Sequence, residues 1–341
     1  LLLVVLLTSC SKHELVLIDG QALGTYYRIK YLDIGYAREN FQKGIDSIFN
    51  GLNNSMSTYI PNSDISKINS GDSTIVVDEH FEKVFQKANL MWYKSQGYFD
   101  PTVGAWVNAY GFGPSKKLKK IGLVERDSLM GITGWPRIRL TKDKKIIKDD
   151  KNIFIDFNAL AKGYAVDQIN LYFEKAGSKN HLIDIGGELI SRGKNLVTNK
   201  FWSVGIEKPI ESTLTRKIFD IIELNNQALA TSGNYRKYRI DKETKQKYVH
   251  SINPLNGRPA RSNILSVSVK ALDCMTADAF ATALMVMPLD MGKKLINETP
   301  NVDAFWIISK SDKFVKDRMI GSILKSIVVL EFILIKLDAL I

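Results

Sequence analysis

Between residues 20 and 315 no long Pro- or Ser-rich linker interrupts the sequence, and no segment recurs at solenoid or propeller spacing. The stretch therefore reads as one folding unit, with room for two lobes. Within it the apolar pattern switches between two periods. Helical spacing appears at 41–56, 81–95 and 161–176, the last stopped by Gly177. Strand-like runs appear at 26–30, 153–156, 182–185, 202–206, 265–270 and 304–308. The two kinds of element do not alternate strictly, which argues against a doubly wound parallel sheet and predicts an α+β fold of mixed sheet and helices.

Lys plus Arg outnumber Asp plus Glu by 47 to 36, a net charge of +11 in 341 residues. This surplus favours an acidic partner: nucleic acid, an anionic membrane surface or a phosphorylated small molecule. The first residues narrow the choice. An apolar run at 1–7, too short for a span of roughly 20 residues, leads into Leu7-Thr8-Ser9-Cys10, the form of a bacterial lipobox. The expectation is a partial lipoprotein signal and short linker at 1–19, lipidation of Cys10, and an exported protein anchored to the membrane and facing the periplasm. Export disfavours nucleic acid as partner. Cys274 is then the one remaining thiol, which leaves no internal disulfide and suits a small buried filler. At the other end, the apolar stretch 318–341 is interrupted by Glu331 and Lys336 and is left unassigned.

Common phosphate-binding signatures are missing: there is no G-x-G-x-x-G, and Gly187 to Lys194 has the wrong spacing for a Walker loop. Two other segments hold groups suited to a phosphorylated ligand. In the Ala-rich, helix-forming stretch 276–287, Asp278 and Thr282 stand four apart and share a face. A carboxylate and a hydroxyl there can serve as hard oxygen ligands for Mg²⁺; equally, they can be an ordinary first-turn Asp and a Thr bonded to its own backbone. In the second segment, 154–167, Asp156 ends a buried run and Lys162 opens a helix. Asp156 can accept hydrogen bonds from a ring or ribose and Lys162 can meet a phosphate, or they are a turn residue and a solvated charge. His250 is one of only four His and can act near neutral pH.

The order of these segments adds what none carries alone. Gly24-Thr25-Tyr26-Tyr27; Met56-Ser57-Thr58-Tyr59 with Pro61, Ser63, Ile65 and Asn69; Phe99 to Gly104 with Tyr110-Gly111-Phe112-Gly113; Asp156 to Asp167; Asp184-Ile185-Gly186-Gly187; Trp202 to Ile206; Thr231 to Tyr235; His250 to Gly257; and Ala277 to Thr282 occur in one series. In this the sequence resembles the ApbE family of FAD:protein FMN transferases, over roughly residues 18 to 310. The resemblance implies a T-fold-related α+β enzyme domain, at 20–317, that moves the FMN half of FAD onto a Thr or Ser hydroxyl of a target protein and releases AMP, with Mg²⁺ required. It implies metal ligation by Asp278, Thr282 and the carbonyl of Ala159, and a FAD site formed by Leu23, Tyr59, Tyr110, Gly111, Phe112, Asp156, Lys162 and Ile252. His250 and Asp278 are the implied catalytic residues. As acceptor it implies a membrane redox-complex subunit with a Ser/Thr-Gly-Ala-Thr-like motif.

Three positions depart from the family pattern. Leu23 replaces the usual Met, Tyr110 the usual Trp, and Ala281 stands where some members place a second Asp, which leaves one carboxylate on the metal helix. Two alternatives keep the ligand and change the outcome: an FAD pyrophosphatase that yields FMN and AMP, and a non-catalytic FAD-binding lipoprotein.

Overall fold

The long N-terminal amphipathic segment buries Phe41, Ile45, Phe49, Leu52 and Met56 along one face of α1 (Arg38–Met56), the three-and-four spacing of a helix packed on a core. Two capped helices follow. Ser63 Oγ accepts from the Ser66 N–H at the start of α2 (Asp64–Asn69), and the Asp78 side chain accepts from the Phe81 N–H at the start of α3 (Glu79–Lys94). The computed structural model describes residues 14–115, 117–118, 121–209, 217–235, 238–240, 247–260, 262–310 and 313–319. Cys10 and residues 320–341 lie outside the described residues.

Two short helices, α4 (Gly104–Ala109) and α5 (Leu123–Gly131), lead to α6 (Ala161–Lys175), and α7 (Cys274–Val286) and α8 (Leu289–Asn297) come near the end. The strands are β1 (Leu15–Ala22), β2 (Thr25–Leu32), β3 (Ile138–Leu140), β4 (Ile146–Lys148), β5 (His181–Ile185), β6 (Glu188–Arg192), β7 (Lys194–Asn195), β8 (Lys200–Glu207), β9 (Ile218–Leu224) and β10 (Ala228–Gly233). After them come β11 (Tyr238–Ile240), β12 (Lys247–Val249), β13 (Ile252–Asn253), β14 (Arg258–Pro259), β15 (Ile264–Ala271), β16 (Asp303–Lys310) and β17 (Lys313–Met319).

Eight of these form one sheet, in the order β1-β2-β5-β6-β10-β15-β16-β17, with every neighbouring pair antiparallel. Helices α6 and α7 pack on one face, and the three-stranded sheet β7-β8-β9 covers part of the other. The α+β class holds, with the sheet wholly antiparallel. Burial on both faces explains why 304–308 reads as an unbroken apolar run. Ala304, Trp306 and Ile308 enter the helix-side core, while Phe305 and Ile307 join Leu189, Val204, Ile206 and Leu224 on the other side. Strand β10 divides likewise, with Ala228 and Ala230 to one face and Leu229 to the other.

The expected helices at 41–56, 81–95 and 161–176 are α1, α3 and α6, and Gly177 ends α6 in a left-handed conformation (φ +93). One expected strand does not form. The chain at 153–156 buries Ile153 and Ile155 but joins no ladder. The Asn69 side chain takes the place of a strand partner: its Nδ2 donates to the Ile155 carbonyl at 2.9 Å and its Oδ1 accepts the Ile155 N–H at 2.8 Å. The sheet also begins at Leu15, five residues before the expected boundary, and ends at Met319.

Candidate active site

Helix α7 is placed by carboxylates. Asp273 caps it by accepting from the Thr276 N–H at 2.8 Å, and the Asp167 carboxylate, from α6, accepts the N–H groups of Cys274 (2.7 Å) and Met275 (2.9 Å). These are donors that a helix start leaves unpaired. Burial pushes Asp167 up to about 7 despite those bonds. The two helices meet at Gly163, where an added Cβ would lie 2.5 Å from the Cys274 carbonyl oxygen. This close approach lets the Gly163 N–H donate to Asp278 Oδ2 at 3.0 Å. Asp278 is buried, and loss of solvent raises its pKa while Lys162 pulls it back.

A cavity of about 1200 Å³ opens beside this junction. Asp278, Thr282 and Ala159 all line it, as do Asp156 and Lys162. Among the described residues no group of three or more His, Cys, Asp or Glu is placed to hold a metal ion. At Asp278, Thr282 and Ala159 the wall offers a buried carboxylate, a hydroxyl a helical turn away and a backbone carbonyl. That all-oxygen set fits Mg²⁺, which takes few protein ligands and keeps several waters, and a cation there would offset the cost of an ionised buried Asp278.

Lys162, in the first turn of α6, pairs with Glu188 at 2.6 Å. Burial works against its charge, but Glu188 and then Asp278 outweigh that and hold the ammonium above its ordinary range. Asp156 is half-buried, and desolvation raises its pKa against hydrogen bonds from Asn158.

The aromatic side of the cavity holds Tyr59, Phe112, His250 and Ile252. Tyr59 is 60% exposed, an aromatic face open to a planar ligand. Phe112 and His250 meet edge to face at 6.4 Å between centroids. Leu23 lines the cavity from the two-residue turn between β1 and β2, where it (φ +51) and Gly24 (φ +71) are both left-handed. Such a turn matches the strand twist, but the conformation strains a leucine.

Two of the expected FAD contacts do not line the cavity. Tyr110 is turned into the wall behind it: its hydroxyl donates to the Gly257 carbonyl at 3.1 Å and its ring stacks on Trp106 at 6.3 Å. Gly257 must be glycine, since a Cβ would sit 2.1 Å from the Trp106 ring. Gly111, left-handed at φ +78, follows α4 and precedes Phe112. Other lining residues have no site role in the sequence reading: Glu188, Asn158, Arg28 and Lys30. The last two were open to inference, because in β2 alternation sends Tyr27, Ile29 and Tyr31 into the core and Arg28 and Lys30 to the opposite face.

The ApbE family model matches residues 23–306. The chain belongs to the ApbE family. Curated relatives named FAD:protein FMN transferase include one from Haemophilus influenzae, 33% identical over 323 residues and covering 91% of each chain. Another, from Vibrio cholerae, is 34% identical over 315 residues, covering 91% of this chain and 92% of its own. Among solved structures, the flavin transferase ApbE from Vibrio cholerae superposes with a TM-score of 0.80 at 31% identity, covering 90% of this chain and 98% of that one. The flavinyl transferase ApbE of Pseudomonas stutzeri, in its apo form, gives 0.79 at 25% identity, with 90% and 95% covered. The ApbE-family match spans the whole cavity wall, from Leu23 to Val286.

Proposed function

We propose that this ApbE-family protein transfers the FMN moiety of FAD to a Thr or Ser hydroxyl of a target protein. The observation that carries the reading is the convergence in one cavity of exposed Tyr59, Asp156, Lys162 and the Asp278/Thr282/Ala159 oxygens, which suits a ligand with a ring at one end and a diphosphate at the other. In the reaction the acceptor oxygen bonds to the phosphorus on the riboflavin side, the bond to AMP breaks, and the hydroxyl proton leaves.

Mg²⁺, held by Asp278, Thr282 and the Ala159 carbonyl, would neutralise charge building on the diphosphate. Lys162 adds a fixed positive charge at the same end. Tyr59 and Phe112 offer faces to the flavin ring, and Asp156 accepts hydrogen bonds from it. His250, which lines the same cavity, would accept the acceptor's proton. The further proposals are an acceptor with a Ser/Thr-Gly-Ala-Thr-like motif in a membrane redox complex, lipidation at Cys10, and a membrane-anchored location facing the periplasm. The last two rest on the Leu7-Thr8-Ser9-Cys10 sequence.

The test is product analysis after incubation with FAD and Mg²⁺, with and without an acceptor protein. AMP that appears only with the acceptor supports the transferase; equal AMP in both, with free FMN, identifies a pyrophosphatase.

A further inference from the structure

We propose that Glu188 is a positioning residue for the diphosphate end of the flavin nucleotide, acting by aiming the Lys162 ammonium. The proposal rests on the functional reading above and extends it to a residue outside the expected site.

Glu188 opens β6 directly after Gly186 and Gly187, both left-handed at φ +63 and +103. The Asp184 carboxylate closes that turn by accepting the Gly187 N–H at 2.9 Å, so the backbone that carries Glu188 is fixed. An alanine at Gly186 would place its Cβ 2.6 Å from Thr25 Oγ1, which keeps the turn tight against β2. The result is a carboxylate in the cavity wall whose side chain is only 4% exposed, 2.6 Å from a lysine that is 32% exposed.

The asymmetry of burial sets the roles. Glu188 lies deeper, as the counter-ion; Lys162 is the more exposed of the two, and a ligand in the cavity reaches it first. A lysine has a long flexible stem with many rotamers, and a partner fixed in the wall removes most of that freedom before a ligand arrives. Without Glu188, the other carboxylate acting on Lys162 is Asp278, the implied metal ligand. An ammonium drawn there would leave the diphosphate and crowd the metal position. Glu188 therefore acts through Lys162 and need not touch the nucleotide.

The role makes a distinction that general damage to the fold does not. FAD carries a diphosphate and riboflavin carries no phosphate, so only FAD should register a misaimed Lys162. The experiment is titration of flavin fluorescence with wild type, Glu188→Gln, Lys162→Met and the double variant, in Mg²⁺, with FAD and with riboflavin. Glu188→Gln is expected to weaken FAD binding about five- to tenfold, the scale of one charge-assisted contact, and to leave riboflavin affinity unchanged. The double variant should bind FAD no more weakly than Lys162→Met alone. Should Glu188→Gln fold poorly, Glu188→Asp keeps the charge and should retain the preference for FAD.

Equal weakening of both flavins by Glu188→Gln, tighter FAD binding, or additive losses in the double variant would overturn the proposal. Wild-type protein that bound riboflavin as well as FAD would instead overturn the functional reading, before any variant is compared.

Discussion

The N–H of Gly163, in the first turn of α6, donates to Asp278 Oδ2 on α7 at 3.0 Å. One hydrogen bond thus ties the helix that carries Lys162 to the helix that carries Asp278 and Thr282. It is possible only because residue 163 lacks a side chain.

Gly163→Ala puts two effects in competition. Alanine favours a helix over glycine by about 1 kcal/mol. The new Cβ, however, would meet the Cys274 carbonyl oxygen at 2.5 Å and the Met275 Cα at 2.8 Å, backbone atoms that cannot rotate away. Overpacking of this kind costs about 1–3 kcal/mol, so a net loss of stability is expected where a surface glycine would show a gain. Thermal melting measures it, and the same variant should need more Mg²⁺ for half-maximal flavin transfer. A melting temperature above wild type would contradict the packing argument.

Leu23 offers a second test, because its strain and its contacts oppose each other. Leu23→Asn places at φ +51 a residue that tolerates that conformation, and relief of about 1–2 kcal/mol is expected. The leucine is also partly packed against the core, and losing that contact costs a similar amount, about 1–2 kcal/mol. Stability should therefore stay close to wild type while FAD binding weakens, since an apolar cavity contact is gone. Denaturant melts and flavin titration read the two separately; unchanged FAD affinity would remove Leu23 from the site.

His181 governs an acid limb of stability. It is fully buried, with Nε2 facing Asn170 Oδ1 at 2.9 Å and Nδ1 facing Ser178 Oγ at 3.1 Å, a pairing that suits the neutral ring. Burial lowers its pKa from 6.5 to about 4. Between those values the unfolded chain binds a proton that the folded chain does not, so stability falls as pH drops through this window. The slope per histidine approaches about 1.4 kcal/mol per pH unit. Denaturant midpoints from pH 7 to pH 4.5 should fall less steeply in His181→Gln than in wild type. Parallel curves would show that other groups control the acid limb.

What was legible in the sequence follows from the range of the forces involved. The helices at 41–56 and 161–176 carry their own periodicity and stop signals, and the run at 304–308 is apolar throughout because both faces of its strand are covered. The segment at 153–156 misled because its partner is not a strand but the side chain of Asn69, 86 residues earlier from Ile155. Asp156, Lys162, Asp278 and Thr282 were found and do line one cavity. The family resemblance puts Tyr110 there, in place of the usual Trp; the sequence does not say which way a ring turns, and the Tyr110 hydroxyl instead reaches the Gly257 carbonyl in the wall. Glu188 receives no role from the sequence because a single carboxylate after two glycines reads as a turn. Its meaning depends on Lys162, which another element brings within 2.6 Å.

In the proposed reaction FMN passes to a protein hydroxyl and not to water, at a site built on Asp278. Intact mass measurement of an acceptor protein after incubation with this chain, FAD and Mg²⁺ tests it most directly. The acceptor should gain one FMN less one water, and Asp278→Asn or removal of Mg²⁺ should lower the rate of gain by about 100-fold or more, the scale of a lost electrostatic stabiliser. An acceptor of unchanged mass while FAD is consumed, or full labelling by Asp278→Asn, would contradict it.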